Sequence, residues 1–179
     1  MKNLLLYTVI CIFLLIGCTS NSRRSYIKNV IGSELIIPSD LLIIGESSCS
    51  YLNYVRKPLK IIVYSDSTNC LACDIKLPTW KIKYKELSLI NKNIGIVFII
   101  NTNNTDDIEL IANVTKIPGF RLYDPQGMFK EMNHLHDHRD LHVFLLDQDN
   151  KVLLIGNPLD NYKLYDLYKQ AIEVYTNQK

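Results

Sequence analysis

The sequence predicts an α/β domain with a central mixed β-sheet flanked by helices, and three observations predict it. First, residues 60–100 read as a β-α-β unit. An unbroken run rich in β-branched residues from Leu59 to Tyr64 is followed by a helix-like stretch from Asp74 to Leu89. The second apolar run, Ile96-Val97-Phe98-Ile99-Ile100, completes it. Runs without polar alternation suit strands covered on both faces of a parallel sheet, joined by a right-handed crossover. Second, residues 141–146 and 152–155 flank Asp147 to Lys151 and predict an antiparallel hairpin with Asp149-Asn150 at its turn. Third, a last helix is capped by Asp160 or Asn161 and carries Leu164, Leu167, Tyr168, Ile172 and Tyr175 on one side.

A chain of 179 residues suits one ordinary domain. The formal net charge is +2 and no run of Lys or Arg is long enough to follow a phosphate backbone, so composition gives no case for a nucleic-acid partner. The N-terminus is more informative. Met1-Lys2 is a short positive start, and residues 4–16 are an apolar stretch too short for a permanent span but suited to a signal peptide. The stretch ends in Leu15-Ile16-Gly17-Cys18, which resembles the lipobox of bacterial lipoproteins and implies cleavage before Cys18 and lipidation of its sulfur. An ordinary export signal or a membrane anchor is the alternative reading. With Cys11 removed and Cys18 lipidated, the mature chain keeps Cys49, Cys70 and Cys73. Cys49 lies in the small polar loop Glu46-Ser47-Ser48-Cys49-Ser50 and reads as an incidental thiol.

Taken in order, residues 1–17 form the signal peptide and residues 18–27 a polar, lipidated tether containing Arg23 and Arg24. Residues 28–57 read as an N-terminal β extension. Its short apolar runs broken by Gly32, Pro38 and Gly45 predict edge strands, arranged as a hairpin added to the main sheet. The main domain spans residues 58–177. Its first helix carries Leu77, Trp80, Ile82, Tyr84, Leu87 and Ile90 and is kinked by Pro78. A short helix from Asp106 to about Val114, a short strand over residues 117–124 and a short helix through Asn133 precede the hairpin.

The chemistry-bearing motif is Cys70-Leu71-Ala72-Cys73. It follows the first strand and opens the first helix, where free N–H groups and the helix dipole favour a thiolate over a thiol. In that layout Cys70 attacks and Cys73, one helical turn deeper, resolves the mixed disulfide. A structural disulfide or an inert pair is the alternative. Asp66 and Asp74 oppose thiolate formation, since nearby negative charge raises a thiol's pKa, and Lys76 offsets them if its chain reaches back.

The element order and the C-x-x-C motif resemble the thioredoxin fold. Three further features are similar to exported thioredoxin-like lipoproteins related to TlpA and ResA. Pro78 falls where thioredoxins kink the active-site helix. Residues 118–127 resemble the strand and helix these proteins insert before the last hairpin. Val143-Phe144-Leu145-Leu146-Asp147-Gln148-Asp149-Asn150-Lys151-Val152 resembles their hairpin phrase. The resemblance implies a thioredoxin-like domain that exchanges disulfides with exported thiol or disulfide proteins. It implies no cofactor beyond the Cys70–Cys73 disulfide itself. It also marks departures. Asp140-Leu141-His142 has no proline where the family places one, usually cis, before the hairpin. Asn69 stands where an aromatic residue usually precedes the first cysteine, and Tyr64 stands where thioredoxin carries a buried acid.

His134, His136 and His138 alternate along the chain, with His142 beyond them, and alternate positions of an extended segment share a face. A solvated polar loop is the favoured reading of this segment. The competing one is a copper or zinc site built from Cys70, Cys73, His136 and His138 in a non-catalytic binding module or metal chaperone. The 11 tyrosines, several of them in the last helix, read as packing with hydroxyls at the rim. The expectation is therefore a monomeric thiol–disulfide oxidoreductase, lipid-anchored in the bacterial cell envelope at the outer membrane or the periplasmic face.

Overall fold

Helix α1 covers residues 22–30 and opens the part of the chain that the structure, a computed structural model, describes: residues 22–44, 55–66 and 71–177. The tether and edge hairpin expected here take another form. Tyr26, Ile27 and Val30 recur at helical spacing and pack on one face of the sheet, and that contact makes a helix of a stretch whose composition is polar. Gly32, at φ 81, takes the chain out of the helix, and its N–H donates to the carbonyl of Val152 at 2.8 Å. Glu34 bridges to Lys151, whereas strand β1 (Leu42–Ile44) pairs antiparallel with β4 (Phe120–Tyr123). These pairings lie at opposite edges of the sheet, so the chain between them crosses a sheet face instead of turning back as a hairpin. The Asn133 amide pins the crossing: its Oδ1 accepts from the Ile36 N–H at 2.7 Å, and its Nδ2 donates to the Ile36 carbonyl at 2.8 Å.

Strand β2 (Leu59–Ser65) is buried at every position, as is β3 (Ile94–Ile100), which matches their continuous apolar sequences. β2 pairs parallel with β3 and β3 parallel with β4, while the hairpin of β5 (Val143–Asp147) and β6 (Val152–Ile155) adds antiparallel on the other side of β2. Among the described residues the sheet is six-stranded, in the order β1-β4-β3-β2-β5-β6. The hairpin turns as its sequence predicts: Asn150 adopts φ 60, and the Asp147 carboxylate accepts the N–H groups of Asp149 and Lys151.

The first helix is divided, not merely kinked. Helices α2 (Leu71–Ile75) and α3 (Leu77–Ile90) meet at Lys76, which sits in the left-handed region at φ 53 and ψ 44. Pro78, within the first turn of α3, has no N–H to continue the ladder and its ring would meet the carbonyl a turn earlier. Leu77, Trp80, Tyr84 and Leu87 of α3 are buried, but Ile82 is 61% exposed and so leaves the predicted core face. Helix α4 (Asp106–Thr115) and helix α6 (Tyr162–Asn177) cover the same face of the sheet as α3. In α6 Tyr168 and Ile172 are core positions as predicted, with Leu164 and Tyr175 packed against the core beside them. Leu167 is 48% exposed, and Tyr165 takes an inward position instead. Asn161 accepts the Leu164 N–H on its side chain and is the cap of α6. The opposite sheet face is closed by α1, by the crossing segment around Leu35 and by helix α5 (Met128–Met132) through Phe129.

Candidate active site

The carboxyl end of β2 leads into the C-x-x-C segment. Cys70 and Asn69 lie outside the described residues, as do Cys49 and the signal and lipobox region with Cys11 and Cys18. Cys73 is described: it lies on α2, is exposed, and is disulfide-bonded. Its exposure differs from the deeper setting expected of a resolving cysteine: α2 buries Ile75 in the core and leaves Cys73 on its outer side. The other four cysteines all lie outside the described residues, so its disulfide partner lies there too.

The charges around this segment arrange themselves differently from the sequence expectation. Lys76 pairs with a carboxylate of another element. Its Nζ sits 2.8 Å from both carboxylate oxygens of Asp160, because the left-handed turn at Lys76 aims the side chain towards the start of α6. The cations that meet the two carboxylates come from elsewhere. Arg139 Nη1 donates to Asp74 Oδ2 at 2.9 Å, and Arg139 Nε lies 3.7 Å from Asp66 Oδ1. Lys130 Nζ donates to Asp66 Oδ2 at 2.8 Å. Burial alone would raise the Asp66 carboxyl, but the Lys130 ammonium, with His142 and Arg139 beyond it, holds it below its ordinary value. Lys130 and Arg139 gave no signal in the sequence, since each reaches its carboxylate across a long sequence separation.

Leu141, expected at the position of the missing proline, is buried in a 3₁₀ turn (Arg139–Leu141) that runs into β5. The described residues contain no cis peptide bond. His142 completes the turn. Its backbone carbonyl accepts the Tyr64 N–H at 2.9 Å, which carries the β2–β5 pairing one step beyond the strand. Its ring is almost fully buried, edge-on to Tyr64 with centroids 5.3 Å apart. Nε2 lies 2.6 Å from the His136 carbonyl and therefore carries the proton, which leaves Nδ1 buried without a hydrogen-bond partner among the described residues. Burial lowers the His142 pKa and, with the Asp66 carboxylate nearby, raises that of the Tyr64 hydroxyl, so both groups are neutral at neutral pH. Tyr64 thus fills the place of a buried acid with a group that holds its own proton.

This burial has a consequence for stability. The unfolded chain protonates His142 near the ordinary value of 6.5, while the folded protein resists it. The stabilisation is present above that value and is lost as pH falls through it towards the lower folded value. Denaturant midpoints measured at about pH 7.5 and about pH 5.5 are expected to fall in the wild type, with a smaller fall in His142→Phe. An equal fall in both would remove His142 as the cause.

His136 and His138 do share a face, with rings stacked at 4.9 Å, but α1 engages both. Arg23 of α1 reaches His138 Nδ1 and lies 3.4 Å from Asp140, and Tyr26 packs its ring on His136 at 5.2 Å. The Nδ1 atom of His136 accepts the His138 N–H at 3.1 Å. His134, at φ 48, is turned out of the alternating pattern. No group of three or more His, Cys, Asp or Glu side chains among the described residues is placed to hold a metal ion. A cleft of about 600 Å³ opens beside α2, lined by Asp74, Ile75 and Lys76 on one side and by Arg139, His142 and Asn157 on the other.

No protein-family model matches this sequence, and comparison with curated proteins gives no match. Solved structures do resemble it. A candidate protein disulfide isomerase from Bacteroides thetaiotaomicron superposes with a TM-score of 0.53 at 15% identity, covering 82% of this chain and 90% of that one. The thioredoxin domain of a thiol-disulfide oxidoreductase from Bacteroides vulgatus gives 0.54 at 12% identity, over 79% of this chain and 97% of that one. A second Bacteroides vulgatus protein, a candidate thiol-disulfide oxidoreductase, gives 0.52 at 18% identity, over 69% and 79%. At these identities the likeness speaks for the backbone architecture alone. That architecture, with its C-x-x-C segment leaving the carboxyl end of a central strand, is a thioredoxin-like fold.

Proposed function

We propose that this protein is a thiol–disulfide oxidoreductase acting through Cys70 and Cys73. The observation that carries the reading is Cys73 itself, an exposed, disulfide-bonded cysteine on the helix that directly follows the central strand of a thioredoxin-like sheet. Exposure gives a partner sulfur access, and the helix start favours the thiolate. The exchange needs no other group. The Cys70 thiolate attacks a partner disulfide, forming a mixed disulfide and releasing one partner thiolate. The Cys73 thiolate then attacks the Cys70 sulfur, releasing the second partner thiolate. Two electrons pass to the partner, and the Cys70–Cys73 disulfide forms.

The lipobox-like Leu15-Ile16-Gly17-Cys18 supports a finer form of the proposal: a lipid on Cys18 holds the domain in the bacterial cell envelope, where exported thiol or disulfide proteins are its partners. The test is a redox titration of the purified chain in glutathione buffers, read by mass after thiol trapping. A reversible two-electron transition assigned to Cys70 and Cys73 is expected. A pair that stays oxidised across the whole range of buffers would mark a structural disulfide and overturn the proposal.

A further inference from the structure

Helix α1 is nine residues long, short enough to depend on what it packs against. Tyr26, Ile27 and Val30 cover the sheet, and two histidines hold the first turn. Arg23 Nη2 lies 2.5 Å from His138 Nδ1. A guanidinium only donates, so that nitrogen is an acceptor and carries no proton. The His138 N–H donates to His136 Nδ1 at 3.1 Å, which fixes His136 in the same tautomer. The His136 proton is then on Nε2, 3.5 Å from Ser22 Oγ of α1. The two rings stack at 4.9 Å, and Tyr26 packs on His136 at 5.2 Å. We propose that this cluster is a pH-sensitive latch, holding α1 down while both imidazoles are neutral and releasing it on acidification. Ile27 lines the cleft beside α2 together with Leu141 and Val143, so release of α1 opens that wall. The latch is independent of the exchange chemistry proposed for the cysteines.

Each imidazole can take a second proton only on Nδ1, the atom already engaged as an acceptor. Protonating His138 breaks the Arg23 contact and sets two cations against each other. Protonating His136 breaks its bond to the His138 N–H. Histidine is the side chain that changes charge near neutral pH, so both events belong to mild acidification. The other charged groups around the pair do not reverse this sign. Asp140, of the 3₁₀ turn, lies 3.4 Å from Arg23 and favours cations nearby, but its side chain is 59% exposed and solvent screens it. Arg139, from the same turn, is engaged by Asp74 and Asp66. Asp137, between the two histidines, is 99% exposed and lies 3.7 Å from Lys130 of α5. Arg24 of α1, Glu131 and His134 are exposed. His142 donates its Nε2–H to the His136 carbonyl and is kept neutral by burial, so it adds no charge.

Native-state hydrogen exchange of the full-length chain at about pH 7.5 and about pH 5.5, corrected for intrinsic exchange rates, tests the latch. On acidification the amides of residues 26–31 are expected to lose about tenfold in protection relative to those of α3, the size of one lost charge-assisted hydrogen bond. His142 weakens the whole fold at low pH, which α3 reports as well, so the ratio isolates α1. In H136N/H138N an amide oxygen replaces each Nδ1 acceptor without titrating, and the ratio is expected to be the same at both pH values. R23Q is expected to lower the ratio at neutral pH towards its acid value in the wild type. A wild-type ratio that does not change with pH would overturn the inference, as would a pH response of full size in H136N/H138N. If α3 loses protection in that double variant, H138N alone is read instead. It is expected to keep less than about half of the wild-type response, and a full response there would also overturn the latch.

Discussion

Cys70→Ser is expected to reduce disulfide exchange to background, a loss of at least about a hundredfold in insulin reduction. A serine hydroxyl does not ionise near neutral pH and cannot form a mixed disulfide, so the first bond of the exchange is never made. Cys73→Ser should fail differently. Cys70 still attacks, but nothing releases the partner, and the mixed disulfide is expected to accumulate as a species of higher mass that reductant removes. The exposure of Cys73 makes this contrast informative, because an exposed resolving sulfur is reachable by other thiols as well as by Cys70. Insulin reduction that survives in Cys70→Ser would sink the dithiol mechanism.

Gly119→Ala is expected to cost about 3 kcal/mol or more of folding stability, read from the denaturant midpoint. The residue adopts φ 100, where a side chain is strained. A Cβ there would also stand 2.2 Å from the carbonyl oxygen of Ile96 and 2.8 Å from its Cγ2. Both atoms belong to β3, buried throughout, so relief requires β4 to move away from the strand it pairs with at Val97 and Phe120. The loss should extend to β1, whose ladder is made with β4. A cost below about 1 kcal/mol would mean that the β3–β4 approach is looser than the structure shows.

Much of the frame can be read from residues that interact with near neighbours in the chain. The β-branched runs of β2 and β3 announce strands covered on both faces, and the Asp147–Asn150 turn announces the hairpin. Cys70 and Cys73 are placed at a strand-to-helix junction by spacing alone. Pro78 signals an interruption, although only the packed structure puts the break at Lys76, where a left-handed residue absorbs it. Ile82 and Leu167 show the limit of helical periodicity. Near a stripe's edge, the packed neighbours decide which of two adjacent rows turns inward, and the sequence does not contain those neighbours' positions.

The N-terminal segment shows the same limit at larger scale. Arg23 and Arg24 make it polar by composition, yet Tyr26, Ile27 and Val30 find a sheet face to cover and a helix forms. The site followed the same rule. The C-x-x-C motif is legible because it lies within one short stretch, and so are the carboxylates of Asp66 and Asp74 on either side of it. Their partners were not, because Arg139 and Lys130 come from other elements and Lys76, the near candidate in sequence, is turned away to Asp160. By itself the sequence determined the strand pattern and the hairpin, both set by local propensity and burial. Only the tertiary structure decided which cations meet Asp66 and Asp74, because an ion pair depends on where two elements meet in space.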